Sequence, residues 1–122
     1  MKLVDTSSWV HQLRRSGDPV VRARVEDLLV RGEAAWCAPV RLELWSGVGR
    51  SPEPKVLHHY AEVIPDVPTT PEVWREAERL TERGRRKGLR APAMDVLIAA
   101  CARAHGLALE HDDAHFEWLL GI

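Results

Sequence analysis

With 122 residues, 45% hydrophobic and 29% charged, the chain has the composition of one globular domain spanning residues 1–122, with no room for a second core. Such a chain buries roughly two thirds of its extended surface. Its net charge of −1 excludes a whole-molecule nucleic-acid footprint, and no apolar run approaches the ~18 residues of a membrane span. Cys37 and Cys101 sit in apolar contexts without a disulfide framework, and residues 1–5 carry no signal-peptide pattern, so a cytoplasmic location is expected.

Residues 2–5 are too short and apolar for helical periodicity and read as a strand. Thr6 or Ser7 caps a helix to about Arg15, and Asp18-Pro19 starts a second helix whose apolar face is Val21, Val25, Leu28 and Leu29. Gly32 ends it. Residues 34–38 read as a second strand, and Pro39 opens a helix lined by Val40, Leu44 and Val48, loosened by Gly47 and Gly49. Residues 51–54 form a loop. A helical stretch at 56–60 leads into a third strand at 63–67. After the Pro68-Thr69-Thr70-Pro71 break, a long helix carries Val73, Ala77 and Leu80 as its stripe, with Glu72, Glu76, Glu78 and Glu82 as ordinary surface charges.

The cations Arg83, Arg85, Arg86, Lys87 and Arg90 crowd around Gly84 and Gly88. They read either as a solvated helix end or as a mobile arm near Asp95 that contacts RNA phosphates or an acidic partner. Residues 88–92 link to a helix at 94–104 that is apolar nearly all round and therefore buried. Residues 107–110 make a fourth strand, and a short helix at 114–120 follows. Strands alternating with helices imply a parallel sheet covered on both faces, with ligands bound beyond the C-terminal strand ends.

Four acids interrupt this apolar pattern. Asp5 ends the first strand, Glu43 breaks Leu42-Glu43-Leu44-Trp45, Asp95 opens the buried helix, and Asp113 follows the last strand. Each alone has an ordinary explanation: Asp5 as a helix cap, Asp95 as a first-turn acid, Glu43 as a border residue, Asp112-Asp113 as a turn. Together they fall at strand end, helix start, helix start and strand end, where one sheet edge gathers all four. Converging carboxylates repel unless a divalent cation binds them.

His111 and His115 stand four apart, a zinc spacing only if both lie on one helix. His58-His59 reads as surface. The five tryptophans read mostly as core, with Trp9 or Trp45 as candidates for a partner surface.

The segments Leu3-Val4-Asp5-Thr6-Ser7-Ser8-Trp9, Val40-Arg41-Leu42-Glu43-Leu44, Ala93-Met94-Asp95-Val96-Leu97-Ile98-Ala99-Ala100 and Leu109-Glu110-His111-Asp112-Asp113-Ala114-His115-Phe116 resemble, in order and spacing, the PIN-domain ribonucleases, and within them the VapC toxins of toxin–antitoxin pairs. The resemblance covers essentially the whole chain. It implies a three-layer α/β/α fold around a short parallel sheet of four to five strands, and Mg²⁺- or Mn²⁺-dependent RNA hydrolysis leaving 5′-phosphate and 3′-hydroxyl ends. It further implies a homodimer and a cognate antitoxin. By position the catalytic acids are Asp5, Glu43, Asp95 and Asp113, with Asp5, Asp95 and Asp113 as the metal set and Ser7 as the polar residue beside the first Asp. His115 departs from the pattern, standing where the family usually carries an acid. Asp112 is an extra acid that leaves open which of the pair is the ligand, with Asp113 favoured because it stands three before Phe116, and the chain's stop at Ile122 leaves the fifth strand short or absent.

Two other classes are weighed against this. A phosphoacceptor signalling domain needs an acid pair after the first strand and a late lysine, and neither is present. A PIN-like fold kept only as a catalytically silent binding domain is disfavoured by the intact acids.

Overall fold

The structure, a computed structural model, describes residues 1–47 and 53–122. Its elements in chain order are β1 (Lys2–Val4), α1 (Thr6–Leu13), α2 (Pro19–Val30), β2 (Ala34–Cys37), α3 (Ala38–Ser46), α4 (Pro54–Val63), β3 (Asp66–Val67), α5 (Pro71–Arg86), α6 (Ala93–Ala104), β4 (Ala108–Glu110) and α7 (His115–Gly121). The strands form one sheet in the order β3-β2-β1-β4, and every pairing is parallel. Leu3 stands opposite both Ala35 and Leu109, and Cys37 opposite Val67.

This order reverses beside β1. The chain moves outward from β1 to β2 to β3, then crosses back to add β4 on the other side of β1. The crevice at the C-terminal ends of β1 and β4 is therefore the topological switch point, where open α/β sheets bind ligands. Asp5 follows β1 directly, and its backbone N–H donates to the carbonyl of Glu110 at the end of β4, 2.9 Å away.

Apolar burial on both faces holds the sheet between its helices. All four residues of β2 are buried, as a strand covered on both sides requires. The helix α6 buries Val96 through Ala102 without interruption, so its start at Ala93 is fixed against the sheet. α1 packs on α2, and α6 packs on α5 and α7, completing the α/β/α layering. Among the described residues the sheet has four strands, and no fifth follows α7.

Several expectations are corrected. The third strand is only Asp66–Val67, because α4 runs on through Val63, whose side chain is exposed, and the chain turns only at buried Ile64. Glu76 is not a free surface charge: its half-buried carboxylate pairs with Arg79 and, at 3.4 Å, with Arg103. Arg83, Arg85 and Arg86 are the last turn of α5 rather than a mobile arm. Gly84 is buried there, and a Cβ in its place would come within 2.8 Å of the Trp118 ring. Val48, Gly49, Ser51 and Pro52, read above as helix face and loop, lie outside the described residues.

Candidate functional site

The site begins with Asp5, which is 3% exposed. It caps α1, and Ser7 fixes it: the Ser7 backbone N–H donates to Oδ2 at 2.9 Å and the Ser7 hydroxyl at 2.6 Å. The cap and the site are thus the same residue. The other oxygen, Oδ1, is buried with no hydrogen-bond partner. Burial raises the Asp5 pKa from 3.8 to about 6; the two bonds from Ser7 oppose the rise, and the charges of Asp95 and Glu43 add to it.

Glu43 lies in the second turn of α3, where the Thr6 hydroxyl donates to it at 2.7 Å. Asp95 is the third residue of α6 and half-buried; burial, then the charge of Asp113, push its pKa upward. Asp113 accepts the backbone N–H of His115 at 2.9 Å, which starts α7. Asp112 turns the other way: its carboxylate meets His11 at 2.8 Å and its backbone N–H donates to Ser7 Oγ at 2.9 Å. Of the two adjacent acids, Asp113 is the one that faces Asp95.

His115 closes this group. Its Nδ1 lies 3.1 Å from Asp95 Oδ2 and 3.2 Å from Asp113 Oδ1. Among the described residues, Asp95, Asp113 and His115 each offer a ligand atom within 4.8 Å of the others. Asp5 and Glu43 stand outside that spacing; the charges of Asp95 and Glu43 both act on Asp5. The His111–His115 pairing is not formed. His111 precedes α7 and lays its ring 5.2 Å from that of Phe116.

The spatial partners of two residues escaped the sequence reading. His115 stands out as a departure from the last motif and by its spacing to His111, whereas its partner in space is Asp95, twenty residues upstream. Glu110 read as ordinary strand, but it is 7% exposed and accepts from the Ser8 hydroxyl at 2.8 Å and from Arg24 Nε at 2.8 Å. It pins the end of β4 to α1 and α2, just before the loop that carries Asp113. No local pattern announces a partner 86 residues away. Trp9, a candidate for the partner surface, is wholly buried against Trp36 and Tyr60, so that candidacy is withdrawn. Leu42 and Trp45, on either side of Glu43, are exposed.

The PIN domain family matches residues 2–118. The chain is 31% identical over 109 residues to Ribonuclease VapC21 of Mycobacterium tuberculosis, covering 85% of this chain and 78% of that protein. The chain belongs to the PIN-domain family, among its VapC ribonucleases. A second relative, VapC ribonuclease Mb1587 of Mycobacterium bovis, is also 31% identical and covers 100% of this PIN domain and 93% of its own length. In fold, the PIN domain superposes on a chain of the FitAcB structure from Neisseria gonorrhoeae with a TM-score of 0.77 at 24% identity, covering 100% of this chain and 94% of that one. It superposes on a chain of DNA-bound VapBC from Salmonella typhimurium with a TM-score of 0.76 at 20% identity, covering 100% and 95%. No helix among the described residues of the PIN domain is long and apolar enough to cross a membrane.

Proposed function

We propose that this single PIN domain is a Mg²⁺- or Mn²⁺-dependent ribonuclease and the toxin of a toxin–antitoxin pair. The observation that carries the reading is Asp5 Oδ1, a carboxylate oxygen buried without a partner at the switch point beside Asp95 and Glu43. An orphaned buried anion is costly, and a hard cation is the ligand that removes the cost. The donor chemistry suits such an ion: Asp95 and Asp113 lie within ligand spacing, and Asp5 adds a carboxylate at the end of β1 that acts on Asp95 through charge.

When bound there, the cation supplies positive charge that polarises a phosphoryl oxygen and lowers the pKa of a coordinated water. The chain's own residues do the rest. Ser7 holds Asp5 in one rotamer. Glu43, held in turn by Thr6, orients the attacking water and accepts its proton. Attack at phosphorus breaks the bond to the 3′ oxygen, leaving a 3′-hydroxyl on one product and a 5′-phosphate on the other.

The relatives named as VapC ribonucleases support the RNA substrate, and the VapBC complexes among the structural neighbours support an antitoxin as partner. The exposed Leu42 and Trp45 beside Glu43 suit the docking of an amphipathic antitoxin segment, with an arginine meeting the carboxylates. The working compartment is the cytoplasm and the working form a homodimer.

Purified protein should cut a structured RNA with Mg²⁺ or Mn²⁺, stop with EDTA, and leave 5′-phosphate ends. Expression alone should slow growth, and co-expression of the cognate antitoxin should restore it. A folded, metal-supplied protein that leaves structured and cellular RNA uncut would assign the chain to the catalytically silent class instead.

A further inference from the structure

We propose that His115 is a nitrogen ligand of the metal site and makes it prefer Mn²⁺ over Mg²⁺. The inference rests on the metal-dependent reading above and adds a ligand to its oxygen set. The imidazole is 42% exposed, yet its Nδ1 is turned inward between two carboxylate oxygens, at 3.1 and 3.2 Å. Its backbone is held as well, since the His115 N–H donates to Asp113. The three donor atoms thus come from α6, from the loop after β4 and from the first residue of α7.

A bare nitrogen lone pair facing two carboxylates is electrostatically unfavourable. A cation held by all three groups relieves that conflict, and imidazole binds a metal through its unprotonated nitrogen. Asp5 Oδ1 supplies the independent sign of a ligand, being buried, unpartnered and within the electrostatic reach of Asp95.

Donor type decides the preference. Mg²⁺ demands oxygen in near-ideal octahedral geometry and gives up water reluctantly. Imidazole nitrogen suits first-row transition ions, and Mn²⁺ accepts mixed nitrogen and oxygen sets. A site that offers His115 with Asp95 and Asp113 gains with Mn²⁺ what it does not gain with Mg²⁺.

The test measures binding without RNA. Calorimetric titrations of Mn²⁺ and Mg²⁺ into wild type, His115→Gln, His115→Asp and Asp95→Asn are combined with electron spin-echo spectra of the Mn²⁺ complexes. Wild type should favour Mn²⁺ and show nitrogen modulation. His115→Gln should lose that modulation and bind Mn²⁺ more weakly by on the order of tenfold, with Mg²⁺ little changed. His115→Asp should shift the preference toward Mg²⁺. Unchanged or tighter Mn²⁺ binding in His115→Gln, or a wild-type spectrum without nitrogen, overturns the proposal and leaves His115 as a hydrogen-bond partner of the two carboxylates. Asp95→Asn separates the two levels. If it loses Mn²⁺ while His115→Gln binds as wild type does, only the nitrogen ligand is wrong. If Asp95→Asn binds as wild type does, or wild type binds neither ion, the metal reading itself fails.

Discussion

At the C-terminal end of α5, Arg85 and Arg86 reach Glu82 and Arg83 reaches the carbonyl of Ile122, all in solvent and where the helix dipole favours cations. At the C-terminal edge of the sheet, Asp5 keeps a buried oxygen unpaired, and Asp95 and Asp113 share one imidazole. The first region concentrates charge and neutralises it locally. The second spreads its acids across most of the chain and gathers them with one buried oxygen left unpaired. What marks a site is unsatisfied charge under burial, not charge density along the sequence.

The largest break in this contrast comes from the acidic edge. Asp95→Asn or Asp5→Asn should lower RNA cleavage by about a hundredfold or more, with an unchanged circular dichroism spectrum. Full activity of either variant with metal in excess removes that residue from the site.

Next comes the pH dependence of the metal-free protein. Because the folded pKa of Asp5, about 6, lies above the ordinary 3.8, its protonated form favours the folded state. That contribution is complete below about pH 4 and is lost as the pH rises through about 6. Chemical denaturation in EDTA should show roughly 2–3 kcal/mol of stability lost from Asp5 over this window. Asp5→Asn should flatten the profile, and an equal slope in both proteins would show that Asp5 is not the group responsible.

The brace at Glu110 gives a smaller effect. Arg24→Ala leaves a buried carboxylate with the Ser8 hydroxyl as its remaining side-chain donor. The cost should be about 1–3 kcal/mol, below that of a fully buried pair because Arg24 is well exposed. Denaturant midpoints measure it, and a change within error would remove Glu110 as a support of the loop after β4. Smallest of all, replacing both Arg85 and Arg86 with Ala should leave both the melting temperature and the turnover near wild type, since these pairs are exposed. A steep loss of RNA affinity and of its salt dependence would make the helix end a phosphate-binding surface after all.

The same contrast explains what could be read in advance. The placement of Asp5, Asp95 and Asp113 near one edge was legible because Asp5 ends an apolar run, Asp95 opens one and Asp113 follows the last strand, and a parallel sheet brings its strand ends to one edge. The third strand was overextended because Val63 and Ile64 look alike in sequence, although only Ile64 faces the core. The five cations suggested a mobile arm because two glycines flank them, yet Gly84 serves a close contact with Trp118 inside a helix. His115 and Glu110 take their meaning from partners far along the chain, Asp95 and Arg24, and pattern alone does not supply such pairings.

The most direct test of the account is the melting temperature of wild type and of the Asp5→Asn/Asp95→Asn double variant, each with EDTA and with Mn²⁺ or Mg²⁺ at saturating concentration. A cation that binds only the folded state must raise the wild-type melting temperature by mass action. The double variant should lose most of that rise and melt higher than wild type in EDTA, because the repulsion and buried charge have been removed. The same metal-induced rise in both proteins, with no gain for the variant in EDTA, would contradict the claim that these carboxylates form the metal site.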